Sequence, residues 1–280
     1  MRLRNDVLLP MIGAGTWKIT DREQMKDVVR TAYQCGYRLF DSAAAYYNEM
    51  VLGKAIAELQ LPRDKIIMQD KLWNTCYGYE NAQTACKHSL KKLKMEYLDV
   101  YLLHWPASSQ QYDNWEEINS ETWRGMEQLY KDGLVRAIGV CNFKIIHLEA
   151  LAKTASILPF INQIECHPGM PNNEIAEYCT QRKIQIQASS PLGNGQILSD
   201  EALLKIAGDS GITVAQLCLK WGIEHGYIVL PKTVTPERLR ENIDLENISL
   251  NAETMYILDN MPFCGGLAID SEEVGDLNGL

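Results

Sequence analysis

Residues 97–106 read YLDVYLLHWP, an apolar run that ends in histidine, tryptophan and proline. Asp99 is the only charged residue before His104, and such a run is typical of a strand that is covered on both faces. Strands of this kind belong mostly to parallel sheets, because crossover connections place helices on each side of the sheet. The segment therefore favours an α/β fold in which this strand lies deep in a parallel sheet.

Short runs of similar character recur along the chain, and stretches with helical periodicity separate them. We predict strands at residues 11–14, 37–41, 65–72, 97–104, 135–140, 160–165, 184–188 and 227–230. We predict helices at residues 21–35, 47–60, 78–93, 115–132, 144–155, 172–182, 199–224 and 235–246. Such an alternation in about 250 residues matches a closed barrel in length and order. The sequence therefore predicts the α/β class, as a single (β/α)8 TIM barrel over residues 1–280 with a short N-terminal β-hairpin.

Local signals at the helix ends agree with this division of the chain. Thr20, Asn172 and Thr235 precede predicted helices and are candidate N-caps. Gly36 and Gly133 follow predicted helices, where a glycine can adopt the left-handed conformation that ends a helix.

The composition is that of an ordinary globular protein, with 46% hydrophobic and 22% charged residues in 280. The formal net charge of −9 argues against a generic nucleic-acid binder, which would carry a basic face. We find neither a signal peptide nor an apolar run of about 18 residues, so we expect a cytoplasmic protein without a membrane span. The eight cysteines lack CxxC spacing and are expected to be reduced. No heptad pattern is present, and we expect a monomer.

Four polar side chains follow three consecutive predicted strands. Asp41 ends the second strand and Tyr46 follows it closely, Lys71 lies near the end of the third strand, and His104 ends the fourth. Each could have a purely structural role, such as a capped turn or a hydrogen-bonded core histidine. Together they suit proton transfer, because an ammonium lowers the pKa of a neighbouring phenol and a carboxylate can balance that ammonium. We expect them to protonate an oxygen on which negative charge develops.

Hydride cannot come from a side chain, so reduction would require a cofactor. An open doubly wound sheet would bind a dinucleotide through GxGxxG, but Gly13-Ala14-Gly15 is followed by Lys18 at the third glycine position. The loop after the last strand offers another anchor, since it leads into a helix N-terminus that can bind phosphate. Lys232 and Arg238 flank this helix start, although solvated basic residues beside an ordinary helix would look the same.

Eight ordered motifs now make a family resemblance plain. They are GAGTW (13–17), FDSAAAYYNE (40–49), KLWNT (71–75), LLHWP (102–106), GVCNF (139–143), NQIECHP (162–168), SPLG (190–193) and LPKTVTPERLRENI (230–243). Over nearly its whole length the chain resembles the aldo-keto reductase superfamily. The resemblance implies an NADPH-dependent reductase of small-molecule aldehydes or ketones. It also implies that Tyr46 is the general acid, that Lys71 lowers its pKa, that Asp41 holds Lys71, and that His104 orients the carbonyl.

The resemblance also implies binding residues. The implied cofactor contacts are Thr16, Trp17, Asp41, Cys141, Asn142, Gln163, Ser189, Ser190, Leu192, Lys232, Thr233, Arg238, Glu241 and Asn242. The implied substrate contacts are Trp17, Tyr47, Trp73, His104 and Trp105. Two positions depart from the family pattern, because Cys141 replaces a serine and Ser189 replaces the aromatic residue that stacks on the nicotinamide ring. Residues 262–280 are expected near the mouth of the barrel.

Three other functions are less well supported by the sequence. A zinc enzyme could use His104, Cys166 and His167, but their spacing matches no zinc motif. A glycosidase needs two carboxylates about 5–10 Å apart, and the candidates Asp41 and Glu165 lie on strands that are distant in sequence. A redox sensor or regulatory subunit could bind NADPH with little turnover, although it would have no need for Tyr46 and Lys71.

Overall fold

The computed structural model describes residues 1–273, and it contains one sheet of eight parallel strands in sequential order. The strands are β1 (Gly13–Gly15), β2 (Leu39–Asp41), β3 (Ile67–Leu72), β4 (Leu98–Leu103), β5 (Val135–Cys141), β6 (Ile161–Glu165), β7 (Gln185–Ser189) and β8 (Ile228–Val229). The sheet closes on itself, because the amide of Val229 donates to the carbonyl of Met11 at 2.9 Å beside a parallel bridge to Ile12. The predicted (β/α)8 barrel is confirmed.

Ten α-helices surround the strands within residues 1–273. They are α1 (Arg22–Cys35), α2 (Glu49–Glu58), α3 (Tyr79–Leu93), α4 (Trp115–Lys131), α5 (Ile145–Ala152), α6 (Asn173–Gln181), α7 (Glu201–Asp209), α8 (Val214–Glu224), α9 (Pro236–Ile243) and α10 (Ala252–Asp259). The prediction of one helix over 199–224 is wrong. Gly211 takes a left-handed φ of 66° between α7 and α8, and the hydroxyl of Thr213 then accepts from the Gln216 amide to start α8.

The helix ends follow the sequence signals only in part. Gly36 and Gly133 have φ of 107° and 75°, as predicted for residues that end a helix. Thr20 is not a cap, because the carboxylate of Asp21 accepts from the amide of Gln24 and begins α1 one residue later. Asn172 and Thr235 occupy N-cap positions of α6 and α9, but neither side chain makes a capping hydrogen bond.

The N-terminal segment folds back on itself at the end of the barrel opposite to the catalytic rim. An antiparallel bridge joins Arg2 to Leu8, and the amide of Leu3 donates to the carbonyl of Val7 at 2.9 Å. This single bridge is the short hairpin that the sequence predicted. Arg4 donates to the carbonyls of Pro159 and Arg182, which lie just before β6 and β7, and so ties the hairpin to the barrel.

The barrel interior contains polar side chains as well as an apolar core. Lys71, Gln69 and Gln187 are completely buried, and Gln163 is 2% exposed. All eight cysteines lie among the described residues and are free of disulfides. Within residues 1–273 no single helix has the length and composition of a membrane span; α7 and α8 have them only together, and they are bent by 84°.

Candidate active site

Asp41, Lys71 and Tyr46 form one hydrogen-bonded group at the carboxyl ends of β2 and β3. The Lys71 ammonium donates to Asp41 Oδ1 at 2.7 Å and to Asp41 Oδ2 at 2.8 Å. It also donates to the carbonyl of Ser42 at 2.9 Å and to the Tyr46 hydroxyl at 3.3 Å. Lys71 therefore has oxygen acceptors on every side, which offsets the cost of burying its charge.

The loop after β2 explains how Tyr46 reaches Lys71. Residues Ala44–Tyr46 form one 3-10 turn, and the buried Asn48 follows them. The side-chain amide of Asn48 donates to the carbonyls of Thr16 and Ile19 at 2.8 and 3.1 Å, while its oxygen accepts from the Ser42 hydroxyl. These bonds tie the turn to the segment after β1 and fix the position of Tyr46.

The electrostatics of Tyr46 differ from the sequence prediction. Burial raises the pKa of Tyr46 to about 12, and the Lys71 ammonium lowers that pKa without reversing the effect of burial. The predicted direction of the Lys71 contribution is therefore correct, but a net lowering of the phenol pKa is wrong. Burial lowers the pKa of Lys71, yet the charges of Asp41 and Tyr46 outweigh burial and raise it above its usual value, so the ammonium keeps its proton.

His104 lies beside Tyr46 as a neutral imidazole. Burial, with a smaller contribution from Lys71, lowers the pKa of His104 well below its usual value. Its ring meets those of Tyr46 and Trp73 edge-on, with centroids 5.8 and 5.3 Å apart. The Asn142 side-chain amide donates to the His104 carbonyl at 3.0 Å, so β5 helps to hold the end of β4.

These side chains lie at one end of a cavity of about 1320 Å³ that opens on the carboxyl ends of the strands. The predicted site residues in its wall are Trp17, Asp41, Tyr46, Trp73, His104, Trp105, Cys141, Asn142, Gln163, Ser189, Ser190, Leu192, Lys232, Thr233, Arg238, Glu241 and Asn242. The barrel thus brings together residues from most of its loops. Lys71 lies below the wall, where it contacts Asp41 and Tyr46.

Two predicted contact residues lie outside this wall. Thr16 is 1% exposed, and its hydroxyl donates to the Asp41 carbonyl at 2.9 Å, which leaves it as support for β2. Tyr47 is 84% exposed and has a left-handed φ of 55°, so it faces solvent although it follows Tyr46 directly. Their roles in cofactor and substrate binding stay predictions.

Positive charge collects at the other end of the cavity. Within residues 1–273, Lys232 and Arg238 form no ion pair, and they flank the start of α9, where Pro236 occupies the first turn. Lys18 also lines the wall, with its ammonium 4.2 Å from the centre of the Trp17 ring. Partial burial and the charge of Lys18 lower the pKa of Lys232. This end of the cavity suits an anionic group.

The C-terminal segment 264–272, which we call the tail, covers part of the mouth. The amides of Leu267 and Ala268 donate to the two carboxylate oxygens of Glu165, each at 2.8 Å. A side chain at Gly266 would lie 2.7 Å from His167 Nε2, so only glycine fits there. The predicted place of this segment is correct for residues 262–273, whereas residues 274–280 lie outside the described residues.

Two further contacts hold the end of the tail to α5. Asp270 forms an ion pair with Lys144, and Glu272 contacts the imidazole of His147, whose pKa is lowered by burial. Residues Leu267 to Ser271 line the cavity, so the tail contributes directly to its shape. The sequence analysis missed Glu165 and Lys18 as wall residues and the buried Gln69 and Gln187 beneath them. The polar residues at alternate positions of β3 and β7 are the signal that could have revealed the two glutamines.

Comparisons with known proteins agree with this arrangement. The model of the aldo/keto reductase family matches residues 11–261. The chain belongs to the aldo/keto reductase family. It is 40% identical to glyoxal reductase of Bacillus subtilis (strain 168) over 259 residues, which cover 92% of this chain and 91% of the relative. It is 35% identical to methylglyoxal reductase of Escherichia coli (strain K12) over 277 residues, 98% of each chain.

A solved structure extends the likeness to three dimensions. The crystal structure of an aldo-keto reductase from a Medee basin deep-sea metagenome library has a TM-score of 0.90 and 35% sequence identity, and the alignment covers 99% of both chains. This aldo-keto reductase is therefore an oxidoreductase, as its family resemblance implied. The individual roles of its site residues remain predictions.

Proposed function

We propose that this aldo-keto reductase reduces aldehydes and ketones to alcohols with NADPH, and that Tyr46 is the general acid. The observation that carries the proposal is the group of Asp41, Lys71 and Tyr46 at one end of a cavity whose other end holds Lys232 and Arg238. One end can serve proton transfer while the other binds a phosphate, and one extended ligand could reach both.

The residues in the wall fit NADPH. Lys232 and Arg238, which form no ion pair within residues 1–273, match a 2′-phosphate better than a ribose hydroxyl. Asn142 and Gln163 bring side-chain amides to the catalytic end, where they can bind a carboxamide. When bound, NADPH supplies the hydride, which no side chain can donate.

The chain's own groups handle the proton. A pKa of about 12 keeps Tyr46 protonated at physiological pH, as a proton donor must be. Once the hydroxyl has given its proton to the carbonyl oxygen, the Lys71 ammonium at 3.3 Å stabilises the phenolate that remains. The neutral His104 can donate a hydrogen bond to the same carbonyl oxygen without competing to protonate it.

We further propose that the substrates are small aldehydes, including 2-oxoaldehydes. Trp73 and Trp105 line the cavity beside His104, and their rings offer flat apolar surfaces to a short carbon chain. The names of the two relatives, glyoxal reductase and methylglyoxal reductase, support the same substrate class.

Tyr46→Phe tests the assigned acid. We expect the turnover number for NADPH-dependent aldehyde reduction to fall about 10²–10⁴-fold, because the ring remains and only the proton donor is lost. The dissociation constant for NADPH, measured by fluorescence titration, should stay near the parent value. Equal loss of binding and turnover would contradict the role. A parent protein that binds NADPH but reduces no aldehyde would instead favour a redox sensor.

A further inference from the structure

Three glutamine side chains form a closed hydrogen-bond network inside the barrel, directly below the catalytic group. Gln69 lies on β3, Gln163 on β6 and Gln187 on β7, and their side chains are at most 2% exposed. Large aliphatic side chains usually fill this part of a barrel. Burying an amide without partners is unfavourable, so a network placed here requires a compensating set of hydrogen bonds.

Each amide nitrogen and oxygen of Gln69 and Gln187 has at least one hydrogen-bond partner. The Gln69 amide donates to Gln187 Oε1 at 2.9 Å, and the Gln187 amide donates back to Gln69 Oε1 at 2.8 Å. The Gln163 amide donates to the same Gln187 oxygen at 3.0 Å. An ionised carboxylate can only accept, so Asp41 fixes the amide nitrogen of Gln69 on its side, and the two-way exchange then fixes the orientation of Gln187.

The network ends on the carboxylate that holds the catalytic lysine. Asp41 Oδ1 accepts from the Gln69 amide at 2.6 Å and from the Gln163 amide at 3.3 Å, in addition to Lys71 at 2.7 Å. Bonds to a charged acceptor are the stronger and more directional ones. The glutamines therefore set the direction of the Asp41 carboxylate, which in turn sets where Lys71 stands relative to Tyr46.

Only one of the three glutamines can meet a ligand. Gln163 lines the cavity, whereas Gln69 and Gln187 do not. A group that binds the Gln163 side chain competes for the amide that also donates to Asp41 and Gln187. A movement of Gln163 therefore changes the hydrogen bonds at the Gln187 oxygen, which Gln69 shares. It affects Asp41 directly and also through Gln187 and Gln69.

We propose that Gln69 and Gln187 are positioning residues that couple the occupancy of the cavity at Gln163 to the arrangement of Asp41, Lys71 and Tyr46. The inference rests on the proposed function for the identity of the ligand, NADPH. In this inference, cofactor binding changes the arrangement of Asp41, Lys71 and Tyr46 through the glutamines of the barrel interior, in addition to any direct contact between the cofactor and these three residues.

A set of methionine variants tests the positioning role. Methionine matches the length of glutamine but offers no amide donor, so Gln69→Met removes a bond to Asp41 with little change in volume. Gln69→Met should lower the turnover number for aldehyde reduction by about 10-fold to 100-fold, with the substrate KM within about 2-fold of the parent because neither glutamine lines the cavity.

The double variant and a control on the same strand separate positioning from general damage. Gln69 and Gln187 act on Asp41 within one network, so Gln69→Met combined with Gln187→Met should cost less turnover than the product of the two single losses. Gln185→Met is the control, because the Gln185 amide donates to the carbonyls of Ile186 and Gly226 instead. Losses that multiply, or an equal loss in Gln185→Met, would overturn the inference.

A binding experiment measures the coupling between Gln163 and the other two glutamines without any turnover. NMR spectra of protein with isotope-labelled glutamine amides, assigned with the same variants, should show the Gln69 and Gln187 signals moving with that of Gln163 as NADPH is added, while Gln185 stays still. Movement of the Gln163 signal alone, or of none of these signals, would refute the coupling.

If the parent reduces aldehydes and Gln69→Met does so equally well, the inference fails while the proposed function stands. If the parent shows coupled shifts but no reduction, the proposed function fails and the coupling stands.

Discussion

The side chains on the two sides of strand β3 lie in different surroundings, and Asp70 shows the difference. It lies between Gln69 and Lys71 on β3 and is completely buried, but its side chain faces the surrounding helices. Burial and the charge of Glu49 raise its pKa well above the usual value. The folded protein therefore holds a proton on Asp70 at pH values at which the unfolded chain has released it.

We expect Asp70→Asn to increase stability near neutral pH. Below pH 3.8, the ordinary value, Asp70 is protonated in both states and its contribution to stability is complete. That contribution is lost as the pH rises through the raised pKa of the folded state. Between about pH 5 and 8, urea unfolding should show a free energy of unfolding about 1–3 kcal/mol higher for Asp70→Asn, with a flatter dependence on pH.

Asp99→Asn is the matched control for this experiment. Asp99 is also buried, but it pairs with Arg63 at 2.7 Å and with Arg136 at 3.2 Å. Removing its charge leaves two guanidinium groups without their partner and should lower stability. A parent protein and Asp70→Asn variant with the same pH dependence would contradict the account of Asp70.

Ser189 leaves room where the family usually has a stacking aromatic ring. It lines the cavity at the end of β7 and is partly exposed. Ser189→Tyr should tighten NADPH binding about 2-fold to 10-fold, since an aromatic pair contributes about 0.5–1.5 kcal/mol beyond area burial. Fluorescence titration measures the change, with Ser156→Tyr on the surface as control. Unchanged affinity would mean that position 189 does not face the nicotinamide.

Single residues also show what the sequence could and could not predict. Asp41, Lys71 and His104 could be placed on one rim because the carboxyl ends of parallel strands meet there. The pKa of Tyr46 could not be predicted, because it depends on how far burial outweighs the nearby ammonium of Lys71. Gln69 and Gln187 were missed because hydrogen bonds across the barrel join residues on β3 and β7 that are far apart in sequence.

At the scale of elements, the tail is an added piece of the cavity wall that one side chain fastens. Glu165 ends β6 and accepts from two successive tail amides, while Gly265 and Gly266 take φ of 141° and 122° to make the turn possible. Bonds from two amides to one carboxylate are worth more than neutral ones. The tail is therefore held at its start by Glu165 and at its end by its contacts with Lys144 and His147.

Glu165→Ala should loosen this segment without unfolding the barrel. We expect proteolytic cleavage within residues 264–272 to become at least about 100-fold faster, because the two lost bonds to a charged group contribute about 1.5–3 kcal/mol each. Glu174→Ala, at an exposed site on α6, is the control. Gly266→Ala should act like Glu165→Ala, since its side chain would lie 2.8 Å from Glu165 Oε1. Cleavage at the parent rate in both would show that Glu165 does not fasten the tail.

Some strands and helices could be predicted from the sequence, and others could not. The strands were visible as apolar runs, and the order of the barrel followed from them. The break between α7 and α8 was missed because residues 199–224 keep a helical apolar pattern across Gly211, and α10 was missed because only Leu258 of it is fully buried. The contacts of the tail depend on the finished barrel and have no local signal.

At the scale of the whole molecule, an acidic protein carries a positive site for its proposed cofactor. The net charge is −9, yet Lys18, Lys232 and Arg238 line one end of the cavity. Such a local reversal of sign favours an anionic ligand in this part of the cavity.

Thermal unfolding measures the preference for NADPH over NADH on the intact protein. NADPH at about 100 times its Kd should add about 2.7 kcal/mol of stability and raise Tm clearly more than the same concentration of NADH. Lys232→Ala combined with Arg238→Ala should abolish most of this difference, because the 2′-phosphate loses both cationic partners. An unchanged difference in Tm would place the phosphate elsewhere.

The buried thiols have a consequence for the reactive carbonyl compounds that we propose as substrates. Burial raises the pKa of Cys86 and Cys141 to about 12 and that of Cys179 to about 11, so these sulfurs carry their protons under physiological conditions. Only the deprotonated sulfur attacks an electrophile readily. Cys141 lies in the wall of the cavity, and its protonated, buried state makes it a poor target for adduct formation. Burial thus protects this wall residue from modification by the aldehydes that we propose as substrates.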